Sequence, residues 1–367
     1  MSSISIVVIL MLTLAICSSA TAAERIVGAD ISMLPEIEKA GGTFTDDAKP
    51  GDAVKIFRAH GWNLFRLRLF VNPTTDFNKS WGATQDLKTI LALSKRIKAA
   101  GGHILLNFHY SDTWADPLHQ HKPAAWKDLP IDALVKQVHD YTAEVLRAME
   151  QNGTPPEMVQ IGNEIAGGML WPDGKLFDVP KDQEQKQWDQ LAAMLKAGID
   201  GARQVQPNRD AMRIMIHIHG GGQKDVPTWF FGRLAKYKLD YDLIGVSFYP
   251  VSGESIDLLK LNIKQLIDTH GKDVVVAEVS YPWKPVDYAD KHKDTTPWPM
   301  TPAGQEKFIT DLDAMLQSMP NSHGLGFIWW YPEAIPTKGL SIWRGGAEAL
   351  FDDKGNALPA MRQFKAR

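Results

Sequence analysis

Two glutamates, Glu164 and Glu278, each close a short apolar run and so stand where a strand hands over to a loop. Two carboxyl groups brought to one bond from opposite sides can cleave a glycoside. One protonates the leaving oxygen while the other works on the far face of the sugar. When the pair is roughly 5–5.5 Å apart, the second attacks carbon directly and configuration is retained. On this reading Glu164 is the acid/base, which requires a pKa raised by burial or a nearby anion. Glu278 is then the nucleophile, kept ionised and oriented by Arg66 and Tyr249. Asn163, next to the acid, is positioned to bind the sugar 2-hydroxyl. Singly, each residue has a plainer explanation. A lone Glu after a strand is ordinarily a solvated loop residue or a helix N-terminal charge. His109 alone reads as structural, Arg66 and Arg68 as partners of buried carboxylates, and Trp329 and Trp330 as core. Their joint placement at strand ends carries the reading.

The elements that must position them recur regularly. Short apolar, β-rich runs at 26–30, 64–70, 103–109, 159–162, 213–217, 243–248, 274–278 and 326–330 predict strands. Amphipathic patterns at 87–100, 131–150, 187–204 and 302–317 predict helices between them. Eight strands alternating with helices predict a single-domain (β/α)8 TIM barrel, whose site lies at the strand C-terminal ends. An open doubly wound sheet would need a Gly-rich phosphate turn after an early strand, and none is present. Gly220-Gly221-Gly222 follows a strand but lacks the spacing and ending of a phosphate loop. The irregular stretch 281–300 is read as the loop after the seventh strand, on the active face.

Composition narrows the partners. A formal charge of −3 argues against nucleic acid or an anionic membrane as partner. Twelve tryptophans, many in predicted loops, suit the apolar faces of sugar rings. Residues 4–20 form an apolar run ending in small residues, which predicts a signal peptide over 1–23 and a catalytic barrel over 24–367. The expected location is secreted or periplasmic. A lipid anchor at Cys17 is the lesser alternative, because Ile16 is bulky where such signals carry a small residue. No segment reads as a membrane span. Cys17 is the one cysteine, so the mature chain would contain neither disulfide nor thiolate. A monomer with a polysaccharide substrate and no catalytic cofactor is expected.

Several segments resemble one family, in order along most of the mature chain. They are Gly28-Ala29-Asp30-Ile31-Ser32, Phe65-Arg66-Leu67-Arg68, the run from Phe108 to Pro117, and Gln160-Ile161-Gly162-Asn163-Glu164. Gly168-Met169-Leu170-Trp171-Pro172 and Ala277-Glu278-Val279-Ser280-Tyr281-Pro282-Trp283 continue the match. The chain resembles the endo-β-1,4-galactanases of glycoside hydrolase family fifty-three, in the clan of retaining (β/α)8 glycosidases. The resemblance implies cleavage of β-1,4-galactan, the side chain of type I arabinogalactan in pectin. It aligns Glu164 with the acid/base and Glu278 with the nucleophile. Arg66, His109, Asn163, Tyr249 and Trp330 align with residues around the pair, and Trp114, Asp116, Trp171 and Trp283 with galactan-contacting loop positions. It departs from the family at Val251-Ser252, at Tyr331 and at His219. Asp290, His292 and Asp294 keep part of a calcium-loop pattern, although lysines flank the His.

Three other readings compete. His217 and His219, with Asp30 and His109, would suit a metal-dependent hydrolase, although residues two apart share a strand face by default. A carbohydrate-binding barrel without catalysis, or a clan member cutting mannan, xylan or cellulose, would share the architecture.

Overall fold

The computed structural model describes residues 25–286 and 294–364. Its centre is a closed barrel of eight parallel strands: β1 (Ile26–Asp30), β2 (Leu64–Leu69), β3 (His103–Phe108), β4 (Met158–Ile161), β5 (Arg213–Ile218), β6 (Leu243–Phe248), β7 (Asp273–Val279) and β8 (Gly324–Trp330). Each strand pairs with its sequence neighbour, and β1 pairs with β8 to close the cylinder. The expected fold is therefore the fold found, with strand boundaries displaced by at most two residues.

One longer helix follows each of the first seven strands: α1 (Ala53–Ala59), α2 (Leu87–Ala99), α3 (Ile131–Gln151), α4 (Glu184–Val205), α5 (Val226–Leu234), α6 (Ile256–His270) and α7 (Pro302–Gln317), with short helices Leu34–Lys39 and Asp76–Ser80 ahead of α1 and α2. Side chains set several starts. Asp52, Asp86, Ser255 and Thr301 each accept an N–H of the first turn, satisfying donors that a helix leaves unpaired. After β8 the described residues end in a 3-10 helix, Pro359–Phe364, lying on α7. Two short hairpins that the apolar pattern does not announce, Phe44–Asp46 with Lys49–Gly51 and Gly168–Met169 with Gly174–Lys175, lie in the connections after β1 and β4.

The barrel interior is layered. At the strand N-terminal ends Ile26, Leu64, Leu105, Met215, Leu243, Val275 and Leu325 form an apolar plug. Two or four residues further along the same faces come Asp30, Arg66, Arg68, Asn107, Gln160, His217 and Ser247, all buried. Period-two alternation sends both sets inward, so the sequence switch from apolar to polar along each strand builds a floor beneath an ionic layer. A larger apolar cluster fills the space between barrel and helices. Among the described residues no helix is long and apolar enough to cross a membrane. The signal-peptide and Cys17 expectations, and Asp290 and His292, fall outside the described residues.

Candidate active site

A cleft of about 710 Å³ opens at the strand C-terminal ends, and both Glu164 and Glu278 line it. Backbone irregularities aim them. Val246 of β6 sits opposite Val276 but Ser247 sits opposite Glu278, so β7 contains one extra residue at this point. Strict alternation from the inward Val275 and Ala277 would turn Glu278 away from the barrel. The bulge turns it into the mouth. Glu164 has φ 51° and ψ 43°, a left-handed conformation that costs a non-glycine residue about 1–3 kcal/mol and is characteristic of functional turns. Tyr110 and Tyr331, just past β3 and β8, share the left-handed region.

The two carboxyl groups have unequal company. Glu278 Oε1 lies 2.9 Å from Arg66 Nη2, and Glu278 Oε2 accepts the Tyr249 phenol at 2.9 Å. Glu164 Oε1 accepts the Ser247 hydroxyl at 2.7 Å. Burial, followed by the negative charge of Glu278, pushes Glu164 well above the usual carboxyl range. Burial pushes Glu278 up as well, but Arg66 and Tyr249 pull it back, so its rise is smaller. Glu164 is thus the group that holds its proton and Glu278 the group that gives it up.

Arg66 is fully buried and spends its guanidinium on four neighbours. Nε donates to Gln160 Oε1 (3.2 Å), Nη1 to Asp30 Oδ2 (2.8 Å), and Nη2 to Asn163 Oδ1 (2.6 Å) besides pairing with Glu278. Asp30 also pairs with Arg68, whose Nη1 donates to Tyr331 Oη at 2.7 Å. Removing one member of such a buried network strands the other charge, at about 3–5 kcal/mol. Trp330 lies over both guanidinium groups, 5.5 Å from Arg66 and 4.7 Å from Arg68, and lines the cleft.

Behind Glu164 stands a neutral histidine. Burial and the charge of Arg66 hold His217 well below the usual imidazole range. Its Nδ1 accepts from Gln160 Nε2 at 3.0 Å and from the Glu164 N–H at 3.4 Å, leaving the proton on Nε2 for Ser247 Oγ at 2.9 Å. With both ring nitrogens committed, and Asp30 held by two arginines, these residues are not arranged as a ligand set; the metal-hydrolase reading loses its basis.

The remaining expected residues divide. Asn163, Trp114, Asp116, Tyr249 and Trp330 line the cleft with the two glutamates. Asn163 Nδ2 donates to Ala115 O at 2.8 Å, its one bond among the described residues, out of the two an amide nitrogen can give. Asp116 chiefly folds its own loop, accepting the Leu118 and His119 N–H groups at 2.8 and 2.9 Å. His109 lies behind the wall, neutral through burial, with Nδ1 accepting the Ala115 N–H at 2.9 Å. It supports the loop rather than facing the cleft. Trp171 packs against Phe177 and Lys175, and the Trp283 indole donates to Gly346 O at 3.0 Å. Neither tryptophan is part of the cleft lining. Asp294 is described away from any set of three or more His, Cys, Asp or Glu side chains that could hold a metal ion, among the described residues.

Sequence reasoning misses several lining residues. Phe77 and Trp81 meet Trp114 edge to face, with centroids 6.0 and 6.3 Å away, and extend one wall. At the other end lie Gln223, Ser252, Glu254, Trp343 and Arg344. All lie beyond the strand ends, several on short helices such as Asp76–Ser80 and Trp343–Gly346, where strand periodicity has nothing to say; aromatic residues there are the one available signal.

A (β/α)8 barrel that brings two differently tuned carboxyl groups into one open cleft defines a glycoside hydrolase. The family model "Glycosyl hydrolase family 53" matches residues 26–364, and the chain belongs to that family. It is 33% identical to an arabinogalactan endo-β-1,4-galactanase of Cellvibrio japonicus, over 93% of this chain and 90% of that one. A family 53 catalytic domain from Ignisphaera aggregans superposes with a TM-score of 0.85 at 31% identity, covering 95% of this chain and 98% of that one. A fungal β-1,4-galactanase gives 0.81 at 30% identity, covering 95% and 100%.

Proposed function

We propose that this chain is a retaining endo-β-1,4-galactanase acting on the galactan side chains of type I arabinogalactan, with Glu164 as acid/base and Glu278 as nucleophile. The observation that carries the mechanism is the unequal environment of the pair. Arg66 and Tyr249 favour the ionised form of Glu278 and orient it, while burial beside an anion keeps a proton on Glu164. The substrate rests on the galactanase relatives, each matched along most of its length. In the first step Glu278 attacks the anomeric carbon as Glu164 protonates the departing oxygen. In the second, Glu164 takes a proton from water, which displaces Glu278 from the same carbon. Asn163, beside the acid, is the candidate for the 2-hydroxyl contact, and Trp114 and Trp330 for stacking on sugar faces.

We also propose that residues 1–23 are a signal peptide and that the barrel acts outside the cytoplasm, as a monomer, with no cofactor in the chemistry. A different β-glycan is the second reading. It is favoured by His219, Ser252 and Tyr331, which depart from the family pattern and all line the cleft. Reducing-sugar release from galactan, mannan, xylan and soluble cellulose decides between them. Galactan should be cut fastest; galactan untouched while another glycan is cut would move the substrate and leave the mechanism standing.

A further inference from the structure

Glu254 is only 6% exposed, yet it is one of the residues lining the cleft. It stands on the loop between β6 and α6. Its Oε2 accepts two backbone N–H groups, from Gly222 and Tyr249, each at 3.2 Å. Its Oε1 receives, among the described residues, one long hydrogen bond of 3.4 Å from Gln223 Nε2. A carboxylate oxygen can accept about two hydrogen bonds, so Oε1 has capacity in hand beside Gln223, which also lines the cleft.

Holding two backbone N–H groups does not require a carboxyl group. A neutral amide would satisfy both without the cost of desolvating an acid. That cost is visible, since burial lifts Glu254 to about 7. The surroundings are shaped to bring it in. A Cβ on Gly222 would lie 2.9 Å from Glu254 Cβ and 2.8 Å from Ser255 O, so only glycine lets the two loops approach this closely. Asn262 Nδ2 pins the same loop through Gly221 O and Gln223 O, both at 2.8 Å.

We propose that Glu254 and Gln223 form a sugar-binding pair that reads adjacent hydroxyls of the galactosyl residue next to the one being cleaved. The proposal rests on the galactanase reading and assigns that site a further specificity determinant. Glu254 supplies an acceptor and Gln223 a donor side by side, which matches neighbouring hydroxyls that each give and take a hydrogen. Position fixes which sugar is read. Glu254 holds the backbone of Tyr249, and the far end of the same tyrosine holds Glu278. The pair therefore stands about one tyrosine side chain from the nucleophile, a span comparable to one pyranose.

The test is steady-state hydrolysis of soluble β-1,4-galactan by wild type, Glu254→Gln and Gln223→Ala, with thermal melts as a folding control. Glu254→Gln retains an oxygen for the two backbone donors, and among the described residues the exposed Gln223 side chain bonds to Glu254. A binding pair predicts that each variant raises KM about 5- to 20-fold, the size of one or two lost hydrogen bonds, with kcat within about twofold. A kcat loss in Glu254→Gln at unchanged KM, or wild-type kinetics in Gln223→Ala, would overturn it in favour of a loop clamp. If Glu254→Gln fails to fold, Gln223→Ala alone decides. Wild-type enzyme that leaves galactan intact overturns the underlying reading before any variant is compared.

Discussion

Ser247 hands its hydroxyl hydrogen to Glu164 at 2.7 Å while sitting, in strand register, directly opposite Glu278. One strand-six residue thus touches the acid through its side chain and neighbours the nucleophile through its backbone register. Through it the neutral His217 is tied to the acid.

Ser247→Ala removes a hydrogen bond that favours ionised Glu164, so the pKa of Glu164 rises further. The alkaline limb of the kcat/KM profile, set by loss of the Glu164 proton, should move to higher pH. An unmoved or acid-shifted alkaline limb would separate that limb from Glu164.

Tyr249→Phe acts on the opposite limb. Without the phenol, Glu278 loses one of the two groups that offset its burial, and its pKa rises. Activity on the acid side needs Glu278 ionised, so the acid limb should move to higher pH. A fall in kcat of about 10- to 100-fold is expected from one lost charge-assisted hydrogen bond. Titration of kcat/KM from pH 3 to 7 reads both.

Glu164→Ala should lower hydrolysis of galactan by about 10²- to 10⁴-fold, the usual size of a general-acid contribution. Aryl galactosides with an acidic phenol as leaving group need no proton at departure. Their first step should therefore be nearly spared, seen as a burst of phenol followed by slow turnover. Equal losses on both substrates would remove Glu164 as the acid.

Glu333, fully buried just past the end of β8, tests linkage instead of catalysis. Burial and the charge of Asp30 raise it from the ordinary 4.5 to about 8. A raised acid contributes stability that is complete below its unfolded pKa and is lost as pH climbs through the folded value. Glu333→Gln titrates nowhere, and its Oε1 can still accept the Met33 N–H. Its melting temperature should therefore gain on wild type between about pH 4.5 and 8 and run parallel above. A constant difference across that window would contradict the shift.

How far the sequence foretells this molecule follows from what each residue depends on. The eight strands are readable because parallel strands buried on both faces are near-continuous apolar runs, and Asp30, Arg66 and Arg68 are readable as inward by period two. Glu278 is a different case. Simple alternation points it outward, and the bulge that corrects it leaves no mark in Val275-Val276-Ala277. The Trp171 and Trp283 indoles donate to the Gly167 and Gly346 carbonyls, backbone contacts of the loops that periodicity does not foretell. Glu254 escapes notice because its place in the cleft is made by Gly222, thirty-two residues away in the chain.

The most direct test is mass spectrometry of the protein after reaction with a 2-deoxy-2-fluoro galactosyl substrate whose good leaving group lets the first step outrun the second. The expected result is one added glycosyl group, ester-linked, in the peptide containing Glu278. A label on Glu164, or no covalent adduct together with an inverted first-formed anomer, would contradict the assignment of the two carboxyl groups.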